Sequence, residues 1–298
     1  MQSLWMLLAS LLFSCMGVCV KLASATYTTS EIVMYRGLFG VVFLFIISRV
    51  NHTSLSTRMP LRHFGRGLIG VIALWLWFYT IGQLPLAMAN TLNYMSPIWI
   101  AAILFAVNWW QGKTAFALGL PGAILLSFVG VVMLLQPSMQ AQQLPMALVA
   151  LGSGVLSALA YLQVRAMGLL GEPETRVVFY FSLTSALAGG AAAAFDGDWH
   201  LHPDPKGIIL LLLMGFFAST AQLAMTRAYR LGHPLLTANL SYCGIIFSSI
   251  FGAVIWHDKL SALSWLGIAV IIISGILATY LHVKTNLPKP QLNKLSSV

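Results

Sequence analysis

The chain repeats one feature from end to end: stretches of about twenty mostly apolar residues, the length a helix needs to cross a bilayer core, separated by short polar breaks. Lipid offers no hydrogen bonds, so a spanning segment must satisfy its own backbone, which leaves helices and closed barrels. These runs lack the in-out alternation of barrel strands and read as helices. Charges, prolines and glycines bound spans at Leu4 to Leu22, Ile32 to Ser48, Gly67 to Gln83, Leu86 to Val107 and Phe116 to Leu135. After the polar stretch Gln136 to Pro145 come Met146 to Met167, Val177 to Phe195, Gly207 to Ala228, Leu235 to Trp256 and Leu263 to Leu281. The expected fold is therefore an all-α polytopic membrane protein with ten transmembrane helices.

Composition supports lipid as the solvent. Of 298 residues only 8% are charged and 59% are hydrophobic, with a mean hydropathy of +0.86; an ordinary soluble domain carries about 25% charged residues. The net charge of +9 does not imply nucleic acid, because no basic run is interleaved with aromatics. Cys15, Cys19 and Cys243 lie inside apolar runs with no ligand spacing, and read as packing residues. Ala23-x-Ala25 resembles a signal-cleavage site, but no Lys or Arg precedes the first run, and an uncleaved first helix is expected.

The basic residues set the orientation. With the N-terminus inside, twelve Lys and Arg fall in inner loops and the tail, and three (Lys21, Lys206 and Lys259) fall outside. Both termini are expected on the cytoplasmic side of a bacterial-type inner membrane.

The two halves repeat each other. Tyr79-Thr80-Ile81-Gly82 leads into Ala89-Asn90-Thr91-Leu92-Asn93-Tyr94, and Tyr229-Arg230-Leu231-Gly232 leads into Ala238-Asn239-Leu240-Ser241-Tyr242. Gly122 and Gly130 share their spacing with Gly267 and Gly275. The expected units are residues 1–140 and 141–285, each a five-helix repeat, with a short cytoplasmic tail over 286–298. An odd helix number per copy starts the second copy on the opposite side, so the repeats are inverted, an arrangement that serves alternating access around a midplane site.

Tyr35-Arg36-Gly37, Leu84-Pro85-Leu86-Ala87-x-Ala89, Tyr94-x-Ser96-Pro97 and Ala238-Asn239-Leu240-Ser241-Tyr242 resemble the EamA-like permeases of the drug/metabolite transporter superfamily across nearly the whole chain. That resemblance implies ten helices, termini inside, a central cavity and transport of amino acids, their derivatives or other small metabolites, often outward. Members often carry Gly-Glu after the fourth and ninth spans; here the sequence reads Gln111-Gly112-Lys113 and His257-Asp258-Lys259. The second half also has Gly244-Ile245 in place of Ser96-Pro97, and Phe181 roughly where Arg36 would repeat.

Arg36 is the most informative side chain, since a charge at membrane depth costs at least about 2.5–3.5 kcal/mol. It either meets an anionic or zwitterionic substrate or is satisfied by headgroups and helix carbonyls. No Asp, Glu or Lys marks the centre of a span, which argues against a buried-carboxylate proton relay and a cationic cargo. Candidate substrate-binding residues beside Arg36 are Ser14, Trp75, Tyr79, Asn90, Asn93 and Tyr94 in the first half, and Ser157, Tyr161, Gln222, Asn239 and Tyr242 in the second. The alternative for each is a hydrogen bond between helices. Pro97 either interrupts the fourth helix or kinks it for packing.

Trp5, Trp109, Trp110 and Trp256 read as interfacial residues, and Gly189-Gly190 as a close helix approach. The loop string Asp196 to Asp204 reads as solvated, not as a metal site. Glu172 and Glu174 read as acids capping the seventh helix, with a gating role as the alternative.

No intramembrane His, Cys or acid cluster points to catalysis, and no catalytic residue, metal or cofactor is expected. The implied partners are a small-molecule metabolite and membrane lipid, in a monomer or a weak homodimer. The function expected is export of an amino acid or amino-acid derivative, with uptake or exchange of a nucleoside-, vitamin- or other anionic or zwitterionic metabolite as the alternative.

Overall fold

The computed structural model describes residues 2–112, 143–197, 205–232, 237–238 and 240–286, with seven further positions between 122 and 133. After a short 3-10 turn at Gln2–Leu4, the helices are α1 (Trp5–Ala23), α2 (Thr29–Val50), α3 (Pro60–Gln83), α4 (Leu86–Asn93) and α5 (Ser96–Trp110). The second half contributes α6 (Leu144–Leu169), α7 (Glu174–Asp196), α8 (Pro205–Leu231), α9 (Cys243–Ile255) and α10 (Ala262–Asn286). No strand occurs among the described residues. Against an expectation of ten spans, the described residues hold seven helices long and apolar enough to cross a membrane, and two shorter apolar helices at Cys243–Ile255 and Ala262–Leu277. Most of the expected fifth span lies outside the described residues.

Local chemistry fixes the helix ends. Thr28 and Glu31 form a reciprocal capping box on α2, satisfying donors that the first turn leaves orphaned. Pro60 starts α3, where its missing N–H costs nothing. That start lies earlier than the expected Gly67, so His63 and Arg66 belong to the helix and not to a loop. One membrane span is broken between α4 and α5: a turn at Tyr94 and Met95 precedes Ser96 and Pro97. A matching turn at Ser241 and Tyr242 precedes α9, although no proline stands there. The break therefore belongs to the architecture, with Pro97 compatible with it but not its sole cause.

Several helix contacts recur between the halves. α1 lies against α8 and α3 against α6; α2 meets α8 and α3 meets α7; α1 meets α9 and α5 meets α6. Between the halves α2 also packs on α7, and α4 on α9.

Small residues make the α2–α7 seam. A Cβ at Gly37 would lie 2.7 Å from both the Ala186 Cα and the Ser182 carbonyl, and one at Gly189 would lie 2.8 Å from the Met34 Cα. These obstacles are backbone atoms that cannot rotate away. Gly37→Ala is expected to cost about 1–3 kcal/mol, as overpacking does, and to lower the thermal midpoint of the detergent-solubilised protein by several degrees. Gly152, in α6, has nothing within 4 Å of its would-be Cβ, so Gly152→Ala should leave that midpoint unchanged or slightly raised.

Candidate functional site

One face of α3 carries His63, Arg66, Gly70, Leu74 and Trp77, spaced at helical intervals and directed into the bundle. Together with Phe13 of α1, Arg36 of α2, Ser157 and Tyr161 of α6, Phe181 of α7 and Gln222 of α8, this face encloses a cavity of about 40 Å³, space for a few waters. Of two larger openings, one of about 430 Å³ beside Ser48 to Leu55 is lined by the first half alone, and one of about 410 Å³ between α1, α2, α7 and α8 has Asn51, Glu174, Thr175, Thr220 and Arg227 in its lining, but its two charged groups, Glu174 and Arg227, are only partly buried.

The cavity holds two arginines. Arg36 is 3% exposed and Arg66 is 2% exposed. Their guanidinium carbons lie 4.9 Å and 4.3 Å from the centre of the same ring, Phe181. Gly70 makes room, since a Cβ there would collide with the Arg66 guanidinium and come 3.0 Å from Phe181. Neither Arg36 Nε nor Arg66 Nε and Nη1 finds a hydrogen-bond partner among the described residues.

The four acids with described side chains are engaged elsewhere: Glu31 in the α2 cap, Glu172 and Glu174 at the α6–α7 connector, and Asp258 beside Lys21. A cation over an aromatic face gains about 0.5–2 kcal/mol. Two like charges several ångström apart at an effective permittivity near 20 lose a similar amount to mutual repulsion. The ring contact therefore offsets little more than the mutual repulsion, and an anion bound in the cavity would stabilise both charges.

The other predicted residues divide into several groups. Ser157, Tyr161 and Gln222 line the cavity with Arg36, and Tyr161 stacks on Tyr229 at 5.2 Å. Asn93 donates to Ser153 at 2.8 Å and to Ser157 at 3.3 Å, pinning the end of α4 to α6. Ser14 donates to the Ser10 carbonyl at 2.9 Å and to the Gly244 carbonyl at 3.2 Å, pinning α9 to α1. Asn90 accepts from Trp77 Nε1 at 2.9 Å and so orients a ring that lines the cavity.

Tyr94 and Tyr242 are buried against glycines: a Cβ at Gly244 would lie 2.7 Å from the Tyr94 ring, and one at Gly275 2.5 Å from that of Tyr242. Gly244 thus stands in place of Ser-Pro because Tyr94 occupies the space. Trp75 is half-buried and is not among the cavity-lining residues, while Tyr79 is 42% exposed on the outside of α3. Asn239 lies outside the described residues.

Arg66, Trp77 and Phe181 complete the lining without having been candidates. Arg66 had been counted with a loop, yet its register with Gly70, Leu74 and Trp77 was a readable sign of an inward face.

Polar clusters close both ends of α3. At its first turn Glu172 accepts from Thr57 Oγ1 at 2.6 Å, from His63 Nε2 at 3.2 Å and from Arg176. Arg176 Nη2 also donates to the Ser54 carbonyl at 2.8 Å, and Glu174 pairs with Arg230. Glu174 falls in the first turn of α7, as expected of an acid at that end, but the N-cap is Pro173 and makes no side-chain cap bond. Glu172 and Glu174 tie the α2–α3 and α6–α7 connectors together, because basic and hydroxyl partners are closer than the helix donors. At the far end Lys21 donates to the Leu84 carbonyl at 3.3 Å, lies 3.9 Å from Asp258, and sits over Trp256.

The sequence model of the EamA-like transporter family matches residues 1–136 and 144–280. The pseudopaline exporter CntI of Pseudomonas aeruginosa is 30% identical over 275 residues, covering 90% of this chain and 92% of that protein. A riboflavin transporter of Vibrio cholerae is 24% identical, with 95% and 94% covered. An S-adenosylmethionine uptake transporter of Rickettsia bellii is 22% identical, with 85% and 84% covered. A solved crystal structure superposes with a TM-score of 0.70 at 18% identity, covering 96% of this chain and 99% of that one, which extends the shared fold to nearly the whole chain.

Burial alone would raise the Glu172 pKa, but hydrogen bonds from Thr57, His63 and Arg176, and the Arg176 charge, outweigh it and hold the carboxyl below its ordinary value. A carboxylate depressed in this way contributes stability that is present above its unfolded pKa and is lost as pH falls through the lower folded one. The thermal midpoint of the wild type should therefore exceed that of Glu172→Gln by a constant margin above about pH 5, and the margin should shrink in more acidic buffer. A margin that widened on acidification would contradict this account of the cluster.

Proposed function

Because the chain belongs to the EamA-like transporter family, and is a multi-pass membrane transporter and not an enzyme, we propose that it exports an amino acid or amino-acid derivative by alternating access around the Arg36 cavity. The observation that carries this reading is the burial of Arg36, without a carboxylate partner among the described residues, in a cavity lined by both halves. A cargo carboxylate supplies the missing counter-charge. Ser157, Tyr161 and Gln222 then offer neutral hydrogen-bonding groups to an amine or amide, and no lining acid is available to hold a cation.

In this reading residues 1–140 and 141–285 are inverted five-helix repeats in the inner membrane, with residues 286–298 and the N-terminus in the cytoplasm, working as a monomer or weak dimer. The symmetric pairing of helices across the halves supports the repeat, because inverted copies exchange environments as the carrier switches sides. The cavity is too small for an amino acid, so loading requires the helices around it to part, with the Glu172 cluster at one end of α3 and the Lys21 cluster at the other as the contacts that would rearrange.

Export is favoured over uptake by the 30% identity to an exporter. The uptake reading, for a vitamin-like or nucleoside-like cargo, draws on the more distant riboflavin and S-adenosylmethionine transporters.

In everted vesicles loaded by incubation with radiolabelled amino acids and their derivatives, Arg36→Ala should abolish accumulation at unchanged protein level. Full activity in that variant would remove Arg36 from the mechanism. Opposite orientation of tags at the two termini would end the inverted-repeat arrangement.

A further inference from the structure

Arg36 has a companion that the family resemblance did not supply. Arg66 reaches the same Phe181 ring from α3, is equally buried, and has its Nε and Nη1 unpartnered among the described residues. The lining side chains hold two positive charges and no negative one. A single carboxylate bound at Arg36 would leave the second guanidinium uncompensated at membrane depth, where an unpaired charge is costly.

A guanidinium presents a planar fork of donors that matches a carboxylate, and these two forks are set around an aromatic ring. Two forks that share one ring can each take one carboxylate of a solute whose two acidic groups are joined by a short chain.

We propose that Arg36 and Arg66 act as one two-pronged site, and that the cargo is a dicarboxylate whose connecting chain lies over Phe181. This rests on the reading that the Arg36 cavity is the cargo site, and it narrows that reading from any anionic or zwitterionic metabolite to one bearing two carboxylates. Arg66 becomes a cargo-binding residue, and Gly70 is small because the Arg66 head group must fold back over it.

The test is a ligand series on the purified, full-length protein, read by thermal shift and by counterflow in proteoliposomes. The probes are alanine and acetate, the aliphatic dicarboxylates from succinate to adipate, aspartate and glutamate, and inorganic phosphate. In the unmutated protein at least one dicarboxylate should bind ten-fold or more tighter than any monocarboxylate. Arg66→Gln should erase that preference, leaving one-carboxylate affinity, while Arg66→Lys should restore part of it by keeping charge without the fork.

Equal binding of mono- and dicarboxylates by the wild type would overturn the two-pronged site, and it does so even if Arg66→Gln fails to fold. Preference for phosphate over every dicarboxylate would also overturn it, in favour of a compact dianion. In either case an Arg36→Gln variant that loses transport leaves the cargo site standing. Wild-type transport in Arg36→Gln would remove the cargo-site reading itself.

Discussion

Everything in the site depends on how closely α2 and α7 approach. Glycine on each side of that seam lets backbone meet backbone, and in lipid, where apolar side chains gain little by leaving hydrocarbon for hydrocarbon, such packing is what holds helices together. Across the seam Phe181 of α7 faces Arg36 of α2. A third arginine at position 181 would add another buried positive charge there. The aromatic ring instead gives a surface on which Arg36 and Arg66 both rest.

Much of this was legible beforehand because the membrane imposes a simple rule on sequence. Runs of apolar residues marked the helices. Repeated order is the ground on which a duplication is proposed, and the depth of Arg36 singled it out as a candidate that the structure sets in the α3 cavity. What the apolar runs alone do not give is direction around each helix. Trp75 and Tyr79 are the candidates on the third span and Trp77 is not, although only Trp77 lines the cavity. Arg66 escaped for a related reason: Pro60 begins the helix earlier than the apolar run does, and a basic residue next to others reads as loop. Glu172 and Glu174 were read from local spacing, whereas their partners, Thr57, His63 and Arg230, are remote in sequence.

The broken spans show how the fold handles polar backbone inside lipid. At the turn near Ser241, Ser10 and Ser14 on the neighbouring helix donate to the Leu240 and Gly244 carbonyls. At the turn near Tyr94 the serines of the neighbouring helix act differently, with Ser153 and Ser157 accepting from the Asn93 side-chain amide and holding the end of α4 in place. These hydroxyls belong to the joints of the molecule more than to its binding surface, with Ser157 in both roles.

The cavity itself is small enough that nothing beyond a few waters fits without parting the helices around it. On the proposed reading, loading a solute is work against the cohesion of the bundle, and the free energy spent on dilation is subtracted from what the contacts provide. Affinity would then understate the strength of those contacts, and the strain of the loaded form would favour release, so that tight packing serves a carrier that must let go as well as hold.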